Sequence, residues 1–465
     1  MALLDQLMQL RQQYQTHPYP QAKERIAHLK KLKQVLLLQQ EALYQAAATD
    51  FGQRSASETR MLEVFPTINN LNDAISKVKR WMKPSKRHVS LLFQPASNQV
   101  IYQPLGVVGI IVPWNYPIFL ALGPLIGAIA AGNKVMVKLS ESTPAINQVL
   151  RQIIETALPN DACVIEGEAD VAAAFSALPF DHLLYTGSTA VGHHVMRAAS
   201  ANLTPVTLEL GGKSPVLVAP DADIAAMANR IMFGKASNGG QTCVAPDYLL
   251  VHSSALPQTI AALTAEFQRF YPAGIADENW TSVITPRHLQ RLIGLMSQAK
   301  AAGAEVINLG ETFDEQDEKR RMPLHLILNA PLECDIWQQE IFGPLLPIKT
   351  YQQVDEALEF IRQQPRPLAF YLFSHDSALI DRALLTVHAG GVCINDTLVH
   401  VGQDDLPFGG IGPSGMGHYH GYDGFLTFSH AKAVHRKGRF NSGVFGYPHL
   451  RGKLLDKMLN WLLKP

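Results

Sequence analysis

Cysteine is scarce in this sequence, and the few thiols lie far apart. The 465 residues include four cysteines, Cys163, Cys243, Cys334 and Cys393, and no two of them form a CxxC pair. Disulfide frameworks and zinc sites usually place their cysteines closer together, so we expect neither, and no other metal site. Unpaired, widely spaced cysteines are typical of a reducing compartment, which predicts a cytoplasmic location.

An excess of charge of either sign is also absent. Lysine and arginine together number 40, as do aspartate and glutamate. Because broad nucleic-acid-binding surfaces usually carry a positive excess, we expect no nucleic-acid partner. The amino terminus lacks a basic segment followed by an unbroken apolar run, since Asp5 and Arg11 interrupt its hydrophobic residues. This pattern predicts no secretory signal.

Uninterrupted hydrophobic runs are scarce too, although one stretch has the length of a membrane span. Residues 100–133 carry no charged side chain, and about 20 apolar residues are enough to cross a bilayer. Prolines and glycines interrupt this stretch, among them Pro113, Pro117 and Pro124. Because proline ends or kinks regular structure, we interpret the stretch as a buried strand, a turn and a helix.

The sequence does contain a long alternation of short β-branched runs and helical patterns. A helical region extends to about residue 83. The first series of predicted strands then covers 107–112, 134–138, 162–165, 182–185 and 205–208. The second series covers 216–218, 248–251, 324–328, 345–350 and 368–373. Such alternation predicts a doubly wound, mostly parallel nucleotide-binding domain followed by a second α/β domain, with a cleft between them.

Two residues suit nucleophilic and acid–base chemistry. Cys243 follows a GGQT segment, so its thiol lies on permissive backbone whose N–H groups can face an attacked atom. Glu209 ends an apolar run before a double glycine, and a carboxylate in apolar surroundings gains the raised pKa of a general base. Each residue also has a plainer interpretation. Cys243 suits a small buried position, and Glu209 suits a solvated strand end or a partner for Lys213.

Two segments lie where a doubly wound sheet binds ligands, at the carboxyl ends of its strands. In YTGSTAVG, residues 185–192, Ser188 suits the cap of a helix whose first N–H groups favour a pyrophosphate, although the GxGxxG spacing is absent. Lys138 and Glu141 follow another predicted strand and suit the hydroxyls of a ribose. An ordinary capped helix explains residues 185–192 equally well, and solvated surface charges explain Lys138 and Glu141 equally well.

Two turns bounded by proline display polar and aromatic side chains. PWNYP, residues 113–117, presents Asn115, whose amide suits an oxyanion hole. EIFGP, residues 340–344, presents Glu340 and Phe342. A loop packed only for rigidity has the same composition, and without further context that interpretation is the stronger one.

In this order, the segments PWNYP, KLSE, YTGSTAVG, LELGGKSP, GQTC, EIFGP and PFGGIGPSGMG resemble the aldehyde dehydrogenase superfamily. The resemblance extends from about Ala22 to Gly438. The short amino terminus, GQTCVAPDYLLV and residues 407–434 are similar to the class 3 branch and, within it, to bacterial coniferyl aldehyde dehydrogenases. Leu139 stands where the family often has proline, a departure that leaves Lys138 and Glu141 in place.

The resemblance implies a set of catalytic residues. Cys243 corresponds to the nucleophile, which would attack the aldehyde carbon to give a thiohemiacetal and later a thioester. Asn115, with the backbone N–H of Cys243, corresponds to the oxyanion hole. Glu209 corresponds to the base that activates the hydrolytic water. The implied product is a carboxylic acid, and the implied cofactor is NAD, with NADP accepted by many class 3 relatives.

The resemblance also implies residues for the cofactor and the substrate. Those for NAD are Lys138, Glu141, Gly187, Ser188, Gly192, Leu210, Glu340 and Phe342. Those lining the substrate channel are Tyr116, Phe233, Thr242, Phe408 and His420. Aromatic walls favour a planar or long apolar aldehyde, so we expect an aromatic substrate such as coniferaldehyde. A long-chain fatty aldehyde, a CoA-acylating reaction and a catalytically silent NAD-binding protein are the alternatives.

The aldehyde dehydrogenase fold and a homodimer are further implications. The expected parts are an NAD-binding domain from 1–85 and 103–209, a catalytic domain from 210–400, and a β oligomerisation element from 86–102 and 401–440. Residues 441–465 form an amphipathic tail, with Leu454, Leu459 and Leu462 on its apolar face. We expect this tail to pack on the protein body, and weak peripheral contact with a membrane is the alternative.

Overall fold

Residues 2–310, 313–315, 317–439, 446–450 and 452–464 are the part of the chain that the computed structural model describes. The amino-terminal helices are α1 (Leu3–Thr16), α2 (Ala22–Leu38), α3 (Gln40–Phe51), α4 (Ala56–Thr59) and α5 (Phe65–Trp81). A π-helical turn at Arg60–Val64 joins α4 to α5. Helical spacing of Leu29, Leu32 and Leu36 buries one face of α2, as the sequence predicts.

A six-stranded sheet forms from the first alternating series. Strands β1 (Ser85–Arg87) and β2 (Ala96–Pro104) precede this series and belong to a separate sheet, described below. The elements of the series are β3 (Val107–Ile111), α6 (Pro117–Ala131), β4 (Lys134–Lys138), α7 (Pro144–Ala157), β5 (Ala162–Ile165), α8 (Ala169–Ser176), β6 (His182–Gly187), α9 (Thr189–Ser200) and β7 (Val206–Leu210). Strands β3 to β7 pair in parallel in the order β7-β6-β3-β4-β5. Every residue of α6 is buried, which explains why residues 100–133 lack charge.

The second series forms a seven-stranded sheet. Its elements are β8 (Pro215–Val218), α10 (Ile224–Ala236), β9 (Tyr248–His252), α11 (Leu256–Phe270), α12 (Pro286–Ala301), β10 (Glu305–Asn308), β11 (His325–Leu328), α13 (Asp335–Gln338), β12 (Leu345–Tyr351), α14 (Val354–Gln363), β13 (Ala369–Phe373), α15 (Ser377–Thr386) and β14 (Gly391–Ile394). The strand order is β10-β11-β12-β9-β8-β13-β14. Only the β10–β11 pair is antiparallel within this sheet as described.

The carboxyl-terminal elements are β15 (Gly415–Met416), α16 (Gly421–Thr427), β16 (Ser429–Lys437) and α17 (Lys453–Leu462). Strand β16 pairs with β2 along nine residues, and β1 completes this antiparallel three-stranded sheet. Strand β15 instead joins the edge of the six-stranded sheet beside β7. The predicted oligomerisation element at 401–440 therefore contributes strands to two different sheets.

The amphipathic tail differs from its prediction. Residues 441–445, 451 and 465 lie outside the described residues. Helix α17 buries none of its described side chains, and Leu454 is 74% exposed. The expected packing on the protein body is therefore wrong for this chain. Across the described ranges, no helix is both long enough and apolar enough to cross a membrane.

Candidate active site

The predicted site residues gather at the carboxyl edge of the six-stranded sheet. The chain runs outward from β3 to β4 and β5, then returns to β6 on the other side of β3. Loops that leave β3 and β6 in opposite directions open a crevice between them, the position where doubly wound sheets bind ligands. Asn115 follows β3 and Ser188 follows β6, so both residues lie at this crevice.

A sharp turn precedes Cys243. Asn238, Gly239 and Gly240 have φ values of 53°, 60° and 78°, in the left-handed region that glycine adopts most readily. A Cβ at Gly240 would lie 2.5 Å from the carbonyl oxygen of Gly343. Both the conformation and the close approach therefore require glycine here, which accounts for the double glycine before the thiol.

Cys243 lines a cavity of about 640 Å³ together with Asn115, Glu209 and Glu340. Burial and the charges of Glu340 and Glu209 raise the pKa of the thiol to about 12, against the opposing effect of the Cys243 and Val244 backbone N–H groups. The thiol is therefore protonated at neutral pH. Its reaction as a thiolate requires a proton acceptor or an added positive charge nearby.

Asn115 lies close to the cysteine loop. Its Nδ2 donates to the carbonyl oxygen of Gln241 at 3.2 Å, and its side chain is buried. The next residue, Tyr116, shares a 2.9 Å hydrogen bond with the hydroxyl of Thr242. Two hydrogen bonds, one from a side chain to the backbone and one between side chains, thus join the PWNYP turn to the loop before Cys243. Together the two segments present an amide and a thiol to one cavity.

Glu209 is a buried carboxylate without a partner. It lies in β7, is 2% exposed, and neither of its oxygens accepts a hydrogen bond from the described residues. Burial raises its pKa well above the ordinary value. A carboxylate that is desolvated and has open lone pairs is suited to take a proton from a water molecule.

Glu340 and Phe342 form the wall of the cavity on the side of the seven-stranded sheet. A Cβ at Gly211 would lie 1.9 Å from Oε2 of Glu340, so the carboxylate approaches the backbone as closely as glycine permits. Burial and the charge of Asp247 raise the pKa of Glu340 to about 8. The ring of Phe342 packs edge-on against Trp114, with centroids 5.3 Å apart.

A second cavity of about 1000 Å³ continues from the first, and Gly187 and Ser188 line both. Lys138 and Glu141 line its other end. The Lys138 ammonium donates to the carbonyl oxygen of Leu139 at 2.8 Å and lies 3.4 Å from the Glu141 carboxylate. Ser188 caps α9 by accepting a hydrogen bond from Val191. A single crevice therefore runs from Lys138 and Glu141, past the capped start of α9 at Ser188, to the wall formed by Glu340.

Close packing requires glycine at both Gly187 and Gly192 of the predicted pyrophosphate turn, although only Gly187 lines the crevice. A Cβ at Gly187 would come within 2.2 Å of the Tyr185 hydroxyl, and one at Gly192 within 2.7 Å of the Leu210 side chain. The Leu210 side chain is buried against α9 rather than exposed to either cavity. The donor set and the glycine-lined helix start fit an extended dinucleotide, whose phosphates favour a helix N-terminus.

The predicted substrate residues separate into two buried pairs and one exposed ring. Tyr116 and Thr242 form the first pair through their hydroxyls. Phe408 and His420 form the second, stacked with centroids 4.9 Å apart, and burial lowers the pKa of His420 to about 3. Phe233 is 37% exposed at the last turn of α10 and lines neither of the two cavities described above. The other four predicted substrate residues are also absent from the residues that line these two cavities.

Several residues near the thiol were missed by the sequence analysis. The buried phenol of Tyr419 has no hydrogen-bond partner among the described residues, and the charges of Glu209 and Cys243 reach it. His288 and Arg291 line both cavities. Tyr419 directly precedes His420, which the family resemblance had already placed in the substrate channel, so the sequence did point to this segment. His288 and Arg291 lie on α12, where no local motif marks them.

Known proteins match this chain over nearly its whole length. Residues 10–434 match the model of the aldehyde dehydrogenase family. A protein of Pseudomonas aeruginosa described as a probable coniferyl aldehyde dehydrogenase is 51% identical over 447 residues, which cover 96% of this chain and 93% of that protein.

Two solved structures are also similar. Staphylococcus aureus AldH in a substrate-bound state has a TM-score of 0.93 and 39% identity, with all of both chains covered. A Mycobacterium tuberculosis aldehyde dehydrogenase complexed with NAD+ has a TM-score of 0.83 and 26% identity, with 92% of this chain and 88% of that chain covered.

Proposed function

Since this chain belongs to the aldehyde dehydrogenase family, we propose that it oxidises an aromatic aldehyde to the carboxylic acid through Cys243, with Asn115 and Glu209 as its other catalytic residues. One observation carries the proposal. A thiol, a buried amide and a desolvated carboxylate line the same 640 Å³ cavity, and that cavity adjoins a crevice of dinucleotide dimensions.

In the first step, Cys243 attacks the carbonyl carbon and gives a thiohemiacetal. The developing oxyanion lies between the Asn115 amide and the backbone N–H of Cys243, two donors that stabilise charge as it forms. The protonated state of the thiol means that its proton must leave before or during attack. That proton passes to solvent, so Glu209 remains unprotonated as the base for the second step.

In the second step, Glu209 acts on water. When bound, NAD supplies the hydride acceptor that converts the thiohemiacetal into a thioester. Glu209 then takes a proton from a water molecule, whose oxygen forms a bond to the thioester carbon. The carbon–sulfur bond breaks, the carboxylic acid leaves, and the Cys243 thiol is restored. A placed base of this kind argues against transfer of the acyl group to CoA.

For the cofactor, we assign Lys138 and Glu141 to the adenosine ribose. The capped start of α9 at Ser188 binds the pyrophosphate, and Glu340 with Phe342 holds the nicotinamide ribose. The M. tuberculosis relative is described with NAD+ bound, in agreement with this assignment. Glu141 repels a 2′-phosphate, which favours NAD over NADP.

For the substrate, the Phe408–His420 stack lines neither cavity, so the support comes from a relative. The name of the P. aeruginosa relative points to coniferaldehyde. We therefore propose coniferaldehyde or a similar aromatic aldehyde as the substrate.

The test compares NADH formation with coniferaldehyde, benzaldehyde, medium-chain alkanals and propanal, and assays the free acid without CoA. Cys243→Ala accompanies the wild type. We expect the highest kcat/KM with aromatic aldehydes, free acid in the absence of CoA, and no turnover by the variant.

Other outcomes have definite meanings. Preference for long alkanals moves the substrate to fatty aldehydes and keeps the mechanism. A requirement for CoA overturns the hydrolytic step. Turnover by Cys243→Ala removes Cys243 as the nucleophile, and inactivity of the wild type on all four aldehyde classes contradicts an oxidative function.

A further inference from the structure

Three charged residues of the amino-terminal helical region lie in the interior, outside both cavities. Arg54 and Glu63 are almost completely buried, and Glu58 is half-buried. Arg54 and Glu63 form an ion pair at 3.0 Å. We call these three residues the Arg54 cluster. Taking charged groups out of water is energetically unfavourable. The contacts of these three residues show which segments of the structure they hold in place.

On one side, the Arg54 cluster contacts the turn that carries Asn115. Arg54 Nη1 donates to the carbonyl oxygen of Asn115 at 3.3 Å. One carboxylate oxygen of Glu63 accepts hydrogen bonds from the backbone N–H groups of Ile118 at 2.7 Å and Phe119 at 3.2 Å. The guanidinium also lies over the ring of Tyr116, 5.2 Å from its centroid. The turn and the start of α6 are therefore held from behind.

On the other side, the cluster contacts the loop that leads to Cys243. Glu58 accepts a hydrogen bond from the backbone N–H of Asn238 and another from the Thr281 hydroxyl at 2.5 Å. Asn238 is the first residue of the left-handed turn. Its Nδ2 donates to the carbonyl oxygens of Asn115 at 2.9 Å and Gln241 at 3.1 Å. The cluster and Asn238 thus converge on one atom, the carbonyl oxygen of Asn115.

Asn115 and Cys243 come from different sheets, and an oxyanion hole built from both needs their donors in register. An error of about 1 Å in such a site can cost about 100-fold in rate. We propose that Arg54, Glu58 and Glu63 are positioning residues, which fix the Asn115 amide relative to the Cys243 backbone N–H without touching the substrate. This inference rests on the proposed function of Asn115 and Cys243.

The same chain contains two charged residues with similar structural tasks away from this site, Arg25, which is buried, and Asp50, which is half-buried. Arg25 donates to the carbonyl oxygens of Ala130 and Ala131 at the other end of α6. Asp50 accepts from the backbone N–H groups of Ala145 and Ile146 at the start of α7. These residues provide matched controls, because they hold helix ends as Arg54 and Glu63 do but contact neither Asn115 nor the Cys243 loop in the described contacts.

The experiment measures the single-turnover rate of NADH formation at saturating NAD and aldehyde, together with the KM for NAD and the melting temperature. The variants are Arg54→Met and Glu63→Gln, with Arg25→Met and Asp50→Asn as controls. We expect the first two to lower the rate about 10-fold or more with the KM for NAD unchanged. The controls lower the melting temperature by a similar amount and keep the rate within about twofold of wild type.

A double-mutant cycle separates positioning from general stability. If the Arg54 cluster acts through Asn115, then Arg54→Met has no further effect on the rate in an Asn115→Ala background. Glu58→Ala is a second probe in case Arg54→Met does not fold, since Glu58 is only half-buried. Glu58→Gln keeps an acceptor for the Asn238 N–H and is expected to restore most of the rate.

Two failures are distinguishable. A wild-type rate in Asn115→Ala contradicts the oxyanion role and with it the proposed function of that residue. If Asn115→Ala is slow but the Arg54 and Glu58 variants fold and react at the wild-type rate, only the positioning role is overturned. Multiplicative effects of Arg54→Met and Asn115→Ala, or equal rate losses in Arg25→Met, overturn it as well.

Discussion

At the scale of the single residue, Glu209 behaves unlike a solvated side chain. Its carboxylate is buried and accepts no hydrogen bond from the described residues, and burial raises its pKa. A raised pKa means that the base form is lost at low pH and is gained only as pH rises above the ordinary range of a carboxyl group. Any step that needs this base therefore accelerates as pH rises through that raised pKa.

Replacing Glu209 with Gln is expected to slow thioester hydrolysis by about 10²- to 10⁴-fold and to abolish its rise with pH. Because the thioester then accumulates, rapid mixing with NAD and aldehyde gives a burst of NADH followed by slow turnover. Cys243→Ala is the control and gives no burst. A variant with a wild-type pH profile and no burst would show that another group activates the water.

We propose that Glu141 influences the choice between NAD and NADP in a similar local way. Its partly exposed carboxylate lies 3.4 Å from the Lys138 ammonium, so a 2′-phosphate on the ribose would face both charges. Glu141→Gln removes the repulsion and leaves the cation. We expect the NADP-to-NAD ratio of kcat/KM to rise by about 10-fold, which corresponds to about 1.4 kcal/mol.

The matched control for this change is Glu166→Gln. Glu166 pairs with Arg151 at 2.9 Å and lies outside the lining of the cofactor crevice. The ratio should be unchanged in this variant. An equal rise in both variants would indicate a general effect of net charge rather than contact with the ribose.

How far the site could be predicted depends on whether its residues share a local pattern. Cys243, Glu209 and Asn115 lie in glycine- and proline-rich segments whose turns are visible in the sequence. Arg54 lies in the loop between α3 and α4, and Glu63 lies in the π-helical turn that follows, and charged residues in such places are usually solvated. Their burial results from packing against segments far along the chain, which no local spacing encodes. The five predicted substrate residues stay a prediction, since a family resemblance alone does not fix which side chains line the cavity.

At the scale of the element, the sequence predicts most accurately the bounds of strands that are buried on both faces of a sheet. Strands β3 and β4 are buried at every position, and their β-branched runs place them within a residue or two of the observed bounds. Strand β16, with the letters SHAKAVHRK, is mostly exposed and has no apolar alternation. It is a strand because β2 lies beside it, and that pairing partner is more than 300 residues away in the sequence.

Two truncations test the value of that pairing. A chain that ends at Phe428 lacks β16 and leaves nine residues of β2 unpaired on that side, and exposed strand edges promote aggregation. A chain that ends at Gly438 loses only the segment that contains α17, which buries no described side chain.

We expect the shorter chain to be aggregated or insoluble and the longer one to melt within a few degrees of wild type. Soluble yield, size-exclusion chromatography and thermal melting measure both. Equal stability of the two truncated proteins would show that the β2–β16 pairing contributes little to the fold.

At the scale of the whole molecule, a short 3₁₀ helix between β1 and β2, at Leu91–Phe93, presents apolar side chains to solvent beside the three-stranded sheet. Leu91 is 86% exposed and Phe93 51% exposed, and the Phe93 ring packs against His435 of β16. Strand β16 is also an outer strand of its sheet. Exposed apolar residues beside an open strand edge favour association with another chain, which supports the proposal of a homodimer.

Light scattering is expected to give twice the 51.2 kDa mass of the chain. A Phe93→Asp variant should shift the population towards monomer, because a charge in the interface is left without a partner. Leu203→Asp is the control, since Leu203 is equally exposed, at 89%, in the turn before β7. Loss of the dimer in the control, or its persistence in Phe93→Asp, would place the interface elsewhere.

The pairing of β15 with β7 has a consequence for the synthesis of the protein. Gly415 lies opposite Glu209, so the strand that holds this carboxylate is completed by residues translated about 200 positions later. At 5–20 residues per second, that interval is roughly 10–40 s. During this time the nascent chain carries an open edge at its own reactive centre, where chaperones or other nascent chains can bind. The chain can close that edge only after Gly415 and Met416 have left the ribosome.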